Sequence, residues 1–304
     1  MEDKLLEIKQ YLPISFQDEE IDNFISYLGE AYVENLENGK FQFAFTAFHM
    51  LNMVYIYKIK WILKQRGNSE VQDSLDNFTR QNHGAQFNTL FDLSQLPEKT
   101  SLEKVLKALS FHANDIDICK NHVGVRNNCS HASGRVYYKT QANIDNYIDE
   151  ELDYDSRLQQ KLEPIFLDIV KEYLDQNWEN PPITTELVEY FKTSHFSEKD
   201  LLLIAELEPP VLSQPSSSDK VIYQKILFLS IIAAVQNMFA LDRNMFLEHL
   251  PSLVSGLPAE VSTTRNGDSS LVASSSILEE YITPIITNFP DEERDQAESI
   301  LQYA

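Results

Sequence analysis

The sequence predicts an all-α protein, and three observations carry that expectation. Only 8 glycines occur in 304 residues, alternation of Val, Ile and Thr with polar residues is scarce, and long segments rich in Leu, Ala, Phe, Glu, Lys and Gln recur. Such segments favour helix, and the two-residue period of a half-buried strand is missing. With 43% apolar residues the chain can build a sizeable core, in one large domain or two ordinary ones.

From Asp18 to Asn35, the residues Ile21, Phe24, Ile25, Leu28 and Tyr32 recur at helical spacing, behind Pro13 and an acidic start that suits a helix N-terminus. Asn38-Gly39 breaks that helix. From Phe41 to Gln65 nearly every face is apolar and Arg66-Gly67 closes the run, so this helix is the expected spine of the core. Residues 68–100 are polar and irregular, with breaks at His83-Gly84 and Pro97, and predict one or two short helices between loops. Thr100 or Ser101 can cap the next helix, whose stripe is Leu102, Val105, Leu106, Leu109 and Ile116, with Gly124 at its end.

Another helix is expected to begin at Arg126 and to stop or bend at Ser133-Gly134. Asp145 to Asp155 holds six carboxylates in eleven residues but lacks the Gly and terminal Glu of a calcium loop, which predicts a solvated face or loop. Leu158 to Trp178 reads as an amphipathic helix ended by Asn180-Pro181-Pro182. Beyond it the helical stretches shorten, separated by Pro209-Pro210, by Ser213 to Ser218 and by Ser262 to Ser276. The expected domains are residues 1–179 and a helical C-terminal region, 180–304.

Two cysteines, Cys119 and Cys129, cannot make a disulfide framework, and the start has neither the basic end nor the apolar run of a secretory signal. A cytoplasmic protein is expected. Phe41 to Leu63 and Val221 to Leu241 are apolar enough to raise the question of a membrane. The first contains His49, Asn52, Lys58 and Lys60, and the second Gln224, Lys225, Gln236 and Asn237, so both are expected as core helices.

A net charge of -22 disfavours loose binding to a polyanion. Between Lys104 and Lys139, however, six basic residues face only Asp115 and Asp117, a local +4. Lys120, Arg135 and Lys139 in that stretch are candidate phosphate contacts, since a docked phosphate feels charges within a screening length of about 8 Å.

The same stretch contains Arg126-Asn127-Asn128-Cys129-Ser130-His131. A guanidinium keeps its charge and can hold a phosphate through forked hydrogen bonds, while an imidazole can take and return a proton near neutrality. On an ideal helix the two side chains stand roughly 140° apart and about 7.5 Å along the axis, whereas Asn127 and His131 share a face.

A long apolar helix followed by Arg126, Asn127 and, after four intervening residues, His131 resembles the HEPN superfamily, whose shared mark is this Arg–polar–His pattern. Phe45 to Leu63, with its Ala47-Phe48-His49 entry, is similar to the first long helix of such domains, and the likeness covers residues 15 to 178. The resemblance implies a homodimer in which Arg126 and His131 of both protomers face a shared cleft and cleave RNA without metal or cofactor. The 2′-hydroxyl would attack the adjacent phosphorus, with His131 moving the proton, Arg126 neutralising the phosphoryl oxygens and Asn127 orienting the ring or contacting phosphate. It also implies a microbial defence or toxin role, with an antitoxin or defence-complex protein as a possible partner and no membrane involvement.

Other assignments fit the same residues. Arg126 could instead bond a carboxylate, and His131 could lie between helices, in a HEPN-like interaction module without catalysis. Cys119, His122, Cys129 and His131 are poorly spaced for zinc, because residues two apart on a helix point about 200° from one another, so the cysteines are expected as buried apolar groups. One HEPN branch is controlled by modification of a tyrosine in an H-x-Y pattern, but here His131-Ala132-Ser133 stands instead, and Tyr137 and Tyr138 lie too far along.

Overall fold

A computed structural model describes residues 2–14, 19–82, 84–130, 136–177 and 184–205, and beyond them 225, 227–232, 234–235, 247, 260–264, 272–276, 283–287, 291, 294–297 and 299. The chain divides into two compact units, Met1–Leu162 and Glu163–Ala304. The boundary expected after residue 179 falls outside the described residues.

In the first unit α1 (Glu2–Lys9) leads to α2 (Glu19–Glu37) and α3 (Phe41–Gln65). The α2–α3 turn needs a left-handed residue, which Gly39 supplies at φ +67° while the Lys40 amide donates to Asn35 O at 2.7 Å. Gly67, at φ +66°, ends α3 in the expected place. The spine expectation holds, since α3 is buried on most sides from Ala44 to Leu63. Even Lys58 and Lys60 are fully covered; their amines reach Tyr11 O at 3.3 Å and Ser101 Oγ at 3.2 Å. Burial, with Lys104 nearby, lowers the Lys60 amine to about 8.

The polar segment folds as α4 (Ser69–Gln81), capped by the Asn68 side chain, and a 3₁₀ turn (Phe91–Gln95). Next, α5 (Glu98–Ala108) starts directly behind Pro97, so Thr100 and Ser101 lie inside it rather than capping it. The stripe Leu102, Val105, Leu106 and Leu109 is buried as expected. Ile116 belongs to a separate helix, because Ser110 at φ +58° turns the chain before α6 (Ala113–Ser130). Gly124 does not end a helix and Arg126 does not begin one. Glycine costs a helix only about 1 kcal/mol, and packing of α6 on α3 and α5 outweighs that.

The acidic run is neither loop nor wholly solvated. It lies in α7 (Gln141–Asn177), which continues through Pro164 and takes in the expected helix after Leu158. Successive rungs join α3 to α7: His49 to Glu151, Asn52 to Asp155 and Tyr55 to Gln159. Both numbers rise together, by three on α3 and four on α7, so these segments run in the same direction with an i+3 ridge against an i+4 ridge.

In the second unit α8 (Thr184–Thr193) and α9 (Glu198–Ala205) are described. Tyr173 stacks on Tyr190 at 4.3 Å and Phe166 meets Phe196 at 5.5 Å. Ser197 and Asp200 cap α9 reciprocally. Among the described residues the all-α expectation holds apart from an antiparallel ribbon, β1 (Glu260–Thr264) with β2 (Val272–Ser276), in the segment expected as a separator. A short α10 (Thr283–Ile286) follows. Leu227 to Val235 includes described helical residues that are buried. Among the described residues, no helix is long and apolar enough to cross a membrane.

Candidate functional site

Arg126 stands near the carbonyl end of α6, which corrects the expectation of a helix N-terminus. The unpaired amides that would attract phosphate are therefore at the far end of the helix. The negative end of the helix dipole favours the guanidinium instead. Its Nη2 is ion-paired with Glu98 Oε2 of α5, and its side chain is 18% exposed. Burial lowers the Arg126 pKa from its usual value, while Tyr57, Cys129 and Glu151 act in the opposite direction.

Glu98 links this pair to the core. Its Oε2 is 3.6 Å from His49 Nε2, and His49 Nδ1 is 2.6 Å from Glu151 Oε1. Four helices thus contribute one chain of charged and polar groups, Arg126 from α6, Glu98 from α5, His49 from α3 and Glu151 from α7. One rung further, Asn52 Nδ2 donates to both carboxylate oxygens of Asp155 at 2.9 Å. Burial raises the Asp155 pKa well above the ordinary carboxylate value, and Glu151 pushes the same way. A cavity of about 20 Å³ touches His49, Asn52, Glu151 and Asp155, with Cys119 and His122 on its wall.

Of the other sequence-derived candidates, Asn127 is half-buried on α6 and Lys139 is exposed, while His131 and Arg135 fall outside the described residues. Gln42 brackets the segment that carries His131, because its amide donates to Cys129 O at 2.7 Å and its carbonyl accepts from Tyr137 N at 2.9 Å. Lys120 is engaged by Glu103 at 2.8 Å, Lys107 by the same carboxylate at 2.6 Å and Lys104 by Glu70 at 2.9 Å. The local +4 is thus countered by carboxylates that precede the stretch in sequence.

Cys119 and Cys129 are buried as expected, and burial pushes their thiols up to about 12 and about 11. Among the described residues, no group of three or more His, Cys, Asp or Glu could hold a metal ion. Tyr138 is buried against Phe45 and Tyr147, whereas Tyr137 is 40% exposed.

Beside Arg126 lies an open pocket of about 430 Å³. Glu98 and Tyr57, the ion-pair partner and an electrostatic neighbour of the guanidinium, both line it. Sequence reading missed Glu98, His49, Glu151 and Asp155. A signal existed: His49 and Asn52 are polar intrusions three apart on an apolar helix, and Glu151 and Asp155 are four apart in the acidic run, as two facing helix stripes require.

No protein-family model, no curated protein and no solved structure matches the chain.

Proposed function

We propose that this chain is a metal-independent endoribonuclease of HEPN type, acting as a homodimer in which Arg126 and His131 of both protomers meet over RNA. The observation that carries the reading is that Glu98 and Tyr57, both beside the Arg126 guanidinium, line a pocket of ligand size. Glu98 sets the direction of the guanidinium fork, and Gln42 ties down both ends of the His131 segment. The chemistry proposed is 2′-hydroxyl attack on the adjacent phosphorus with breakage of the P–O5′ bond, which gives a 2′,3′-cyclic phosphate and a free 5′-hydroxyl; His131 moves the proton from the 2′-oxygen toward the leaving 5′-oxygen and Arg126 offsets charge on the phosphoryl oxygens. Cytoplasmic action in microbial defence or as a toxin, restrained by an antitoxin or defence-complex protein, completes the proposal.

A second reading, a HEPN-like interaction module without catalysis, is favoured by the ion pairs that occupy Arg126, Lys104, Lys107 and Lys120. Incubation of the parent with total RNA and EDTA, beside R126A and H131A, separates the two. The nuclease reading expects cleavage to cyclic-phosphate ends in the presence of EDTA, DNA left intact, and H131A slower by about 10²- to 10⁴-fold while its circular dichroism stays that of the parent. Equal cleavage by all three proteins, or an inert dimeric parent, supports the module instead.

A further inference from the structure

We propose that the outer face of α3 is where a second copy of this chain docks, on a two-fold axis beside Met50, with Phe43 of each copy seated in the other's pocket. That the occupant is a second copy rests in part on the homodimeric reading above, whereas the place and register of the contact come from the face itself. Residues 41–57 contain no Asp, Glu, Lys or Arg, in a chain whose net charge is -22. Two copies of like charge approach most easily through such a neutral face. Phe43, Thr46, Met50, Val54 and Tyr57 recur at helical spacing and form one stripe along α3. The two ends of the stripe differ in height. Phe43 is 60% exposed, whereas Val54 and Tyr57 are buried in the pocket, which Phe24, Phe91 and Ser94 also line. Met50 lies midway, exposed and on the pocket wall.

This arrangement selects a second copy over other occupants. Phe43 and Tyr57 are equally far from Met50 in sequence, two helical turns on either side. A two-fold axis across α3 at Met50 sets the two helices antiparallel and lays Phe43, about 10 Å from the axis, over the partner's Tyr57. The reciprocal contact is identical, as a closed isologous dimer requires, and the face supplies both the knob and the socket. Tyr27, three residues from Phe24 on α2, is 67% exposed and widens the apolar contact. Val136 and Tyr137 extend it at the other end, because the Tyr137 amide is bonded to Gln42, next to Phe43. A phenyl ring takes up only part of about 430 Å³, so it covers the Val54 and Tyr57 floor and leaves the Glu98 edge beside Arg126 open. Each copy thereby completes a wall of the other's candidate site.

Sedimentation and disulfide trapping of the full chain test the face without using RNA. The parent should sediment as a dimer at micromolar concentration. F43D and M50D should each weaken that dimer by about a hundredfold, the effect of losing a central anchor, while L6D, a change at an exposed apolar position of α1, leaves it intact. All three should keep the parent's circular dichroism. Met50 meets its own symmetry mate, so M50C should form an intersubunit disulfide on mild oxidation, whereas the two sulfurs of F43C stand about 20 Å apart and should not. The native Cys119 and Cys129 are buried and do not compete. A monomeric parent, a dimer indifferent to F43D and M50D, or F43C cross-linking as readily as M50C overturns the proposal. A dimer that responds as expected but leaves RNA intact would retain the docking face and remove the nuclease reading; RNA cleavage by a dimer that ignores F43D and M50D would do the reverse.

Discussion

Lys104, Lys107 and Lys120, from the most basic stretch of the chain, stand on α5 and α6 in ion pairs with Glu70 and Glu103. Glu151 and Asp155, from the acidic run, are 4% and 1% exposed within α7. The difference comes from helix phase. Ile144, Ile148, Leu152, Leu158 and Leu162 form the buried stripe of α7, and Glu151 and Asp155 fall in it, whereas Asp149 and Glu150 fall outside. A charge is placed by the stripe it occupies, and neighbouring composition says little about the field it will feel. Folding therefore ties the apparent positive patch into ion pairs, with Lys107 and Lys120 sharing Glu103, and builds a polar centre from what reads as a solvated face.

The comparison is broken most severely by removing His49. The Glu151 carboxyl group is buried and His49 is its hydrogen-bond partner at 2.6 Å, so H49A leaves a covered polar group without that partner and an empty space in the core. The expected loss is about 2–4 kcal/mol in urea unfolding, from the unsatisfied group and the lost packing together. A loss below about 1 kcal/mol would mean that water reaches Glu151 and that the buried and surface clusters differ little.

Much of the scaffold was legible because its signals are local. Gly39 and Gly67 take positive φ where the sequence breaks were read, and the stripe on α5 follows 3.6-residue periodicity. The α5–α6 break was hidden, since Ser110 rather than a glycine or proline makes the left-handed turn. The helix across Gly124 was misread because a local breaker was weighed without the packing that overrides it. At the site, Arg126 could be singled out by its motif, but its partner Glu98 belongs to another helix, and a tertiary ion pair has no sequence period. The rungs between α3 and α7 were visible in principle. Taken separately, each half points elsewhere: His49 stands inside an expected core helix and the acidic run reads as a solvated face or loop.

A smaller effect sharpens the buried half of the comparison through pH. Burial and Glu151 raise the folded pKa of Asp155, so above its unfolded value near 4 the native state keeps a proton that the unfolded chain has lost. The native state then binds more protons, and stability falls as pH climbs through the window up to the raised value. D155N preserves the shape and removes this titration. Near pH 5 it should differ from the parent by about 1 kcal/mol or less, the net worth of a hydrogen bond, and it should gain on the parent as pH rises toward 8. Urea midpoints at both pH values give the slope; a difference that stays flat with pH would place Asp155 among ordinary solvated carboxylates.

The surface half should give the smallest response, with the opposite sign. Hydrogen bonds from Lys107 and Lys120 hold Glu103 down to about 2, so its stabilising contribution is present above the unfolded carboxylate value and is lost as pH falls through about 2. Replacing one donor in K120Q should change neutral-pH stability little, since Glu103 keeps Lys107 at 2.6 Å and both groups are partly solvated. The expected signature is a shallower decline of the urea midpoint between pH 4.5 and 2, and its disappearance at 1 M salt, where the screening length is about 3 Å. A large loss that salt does not touch would show that α5 and α6 are locked by this cluster as firmly as α3 and α7 are by His49 and Glu151, and the contrast between the two regions would collapse.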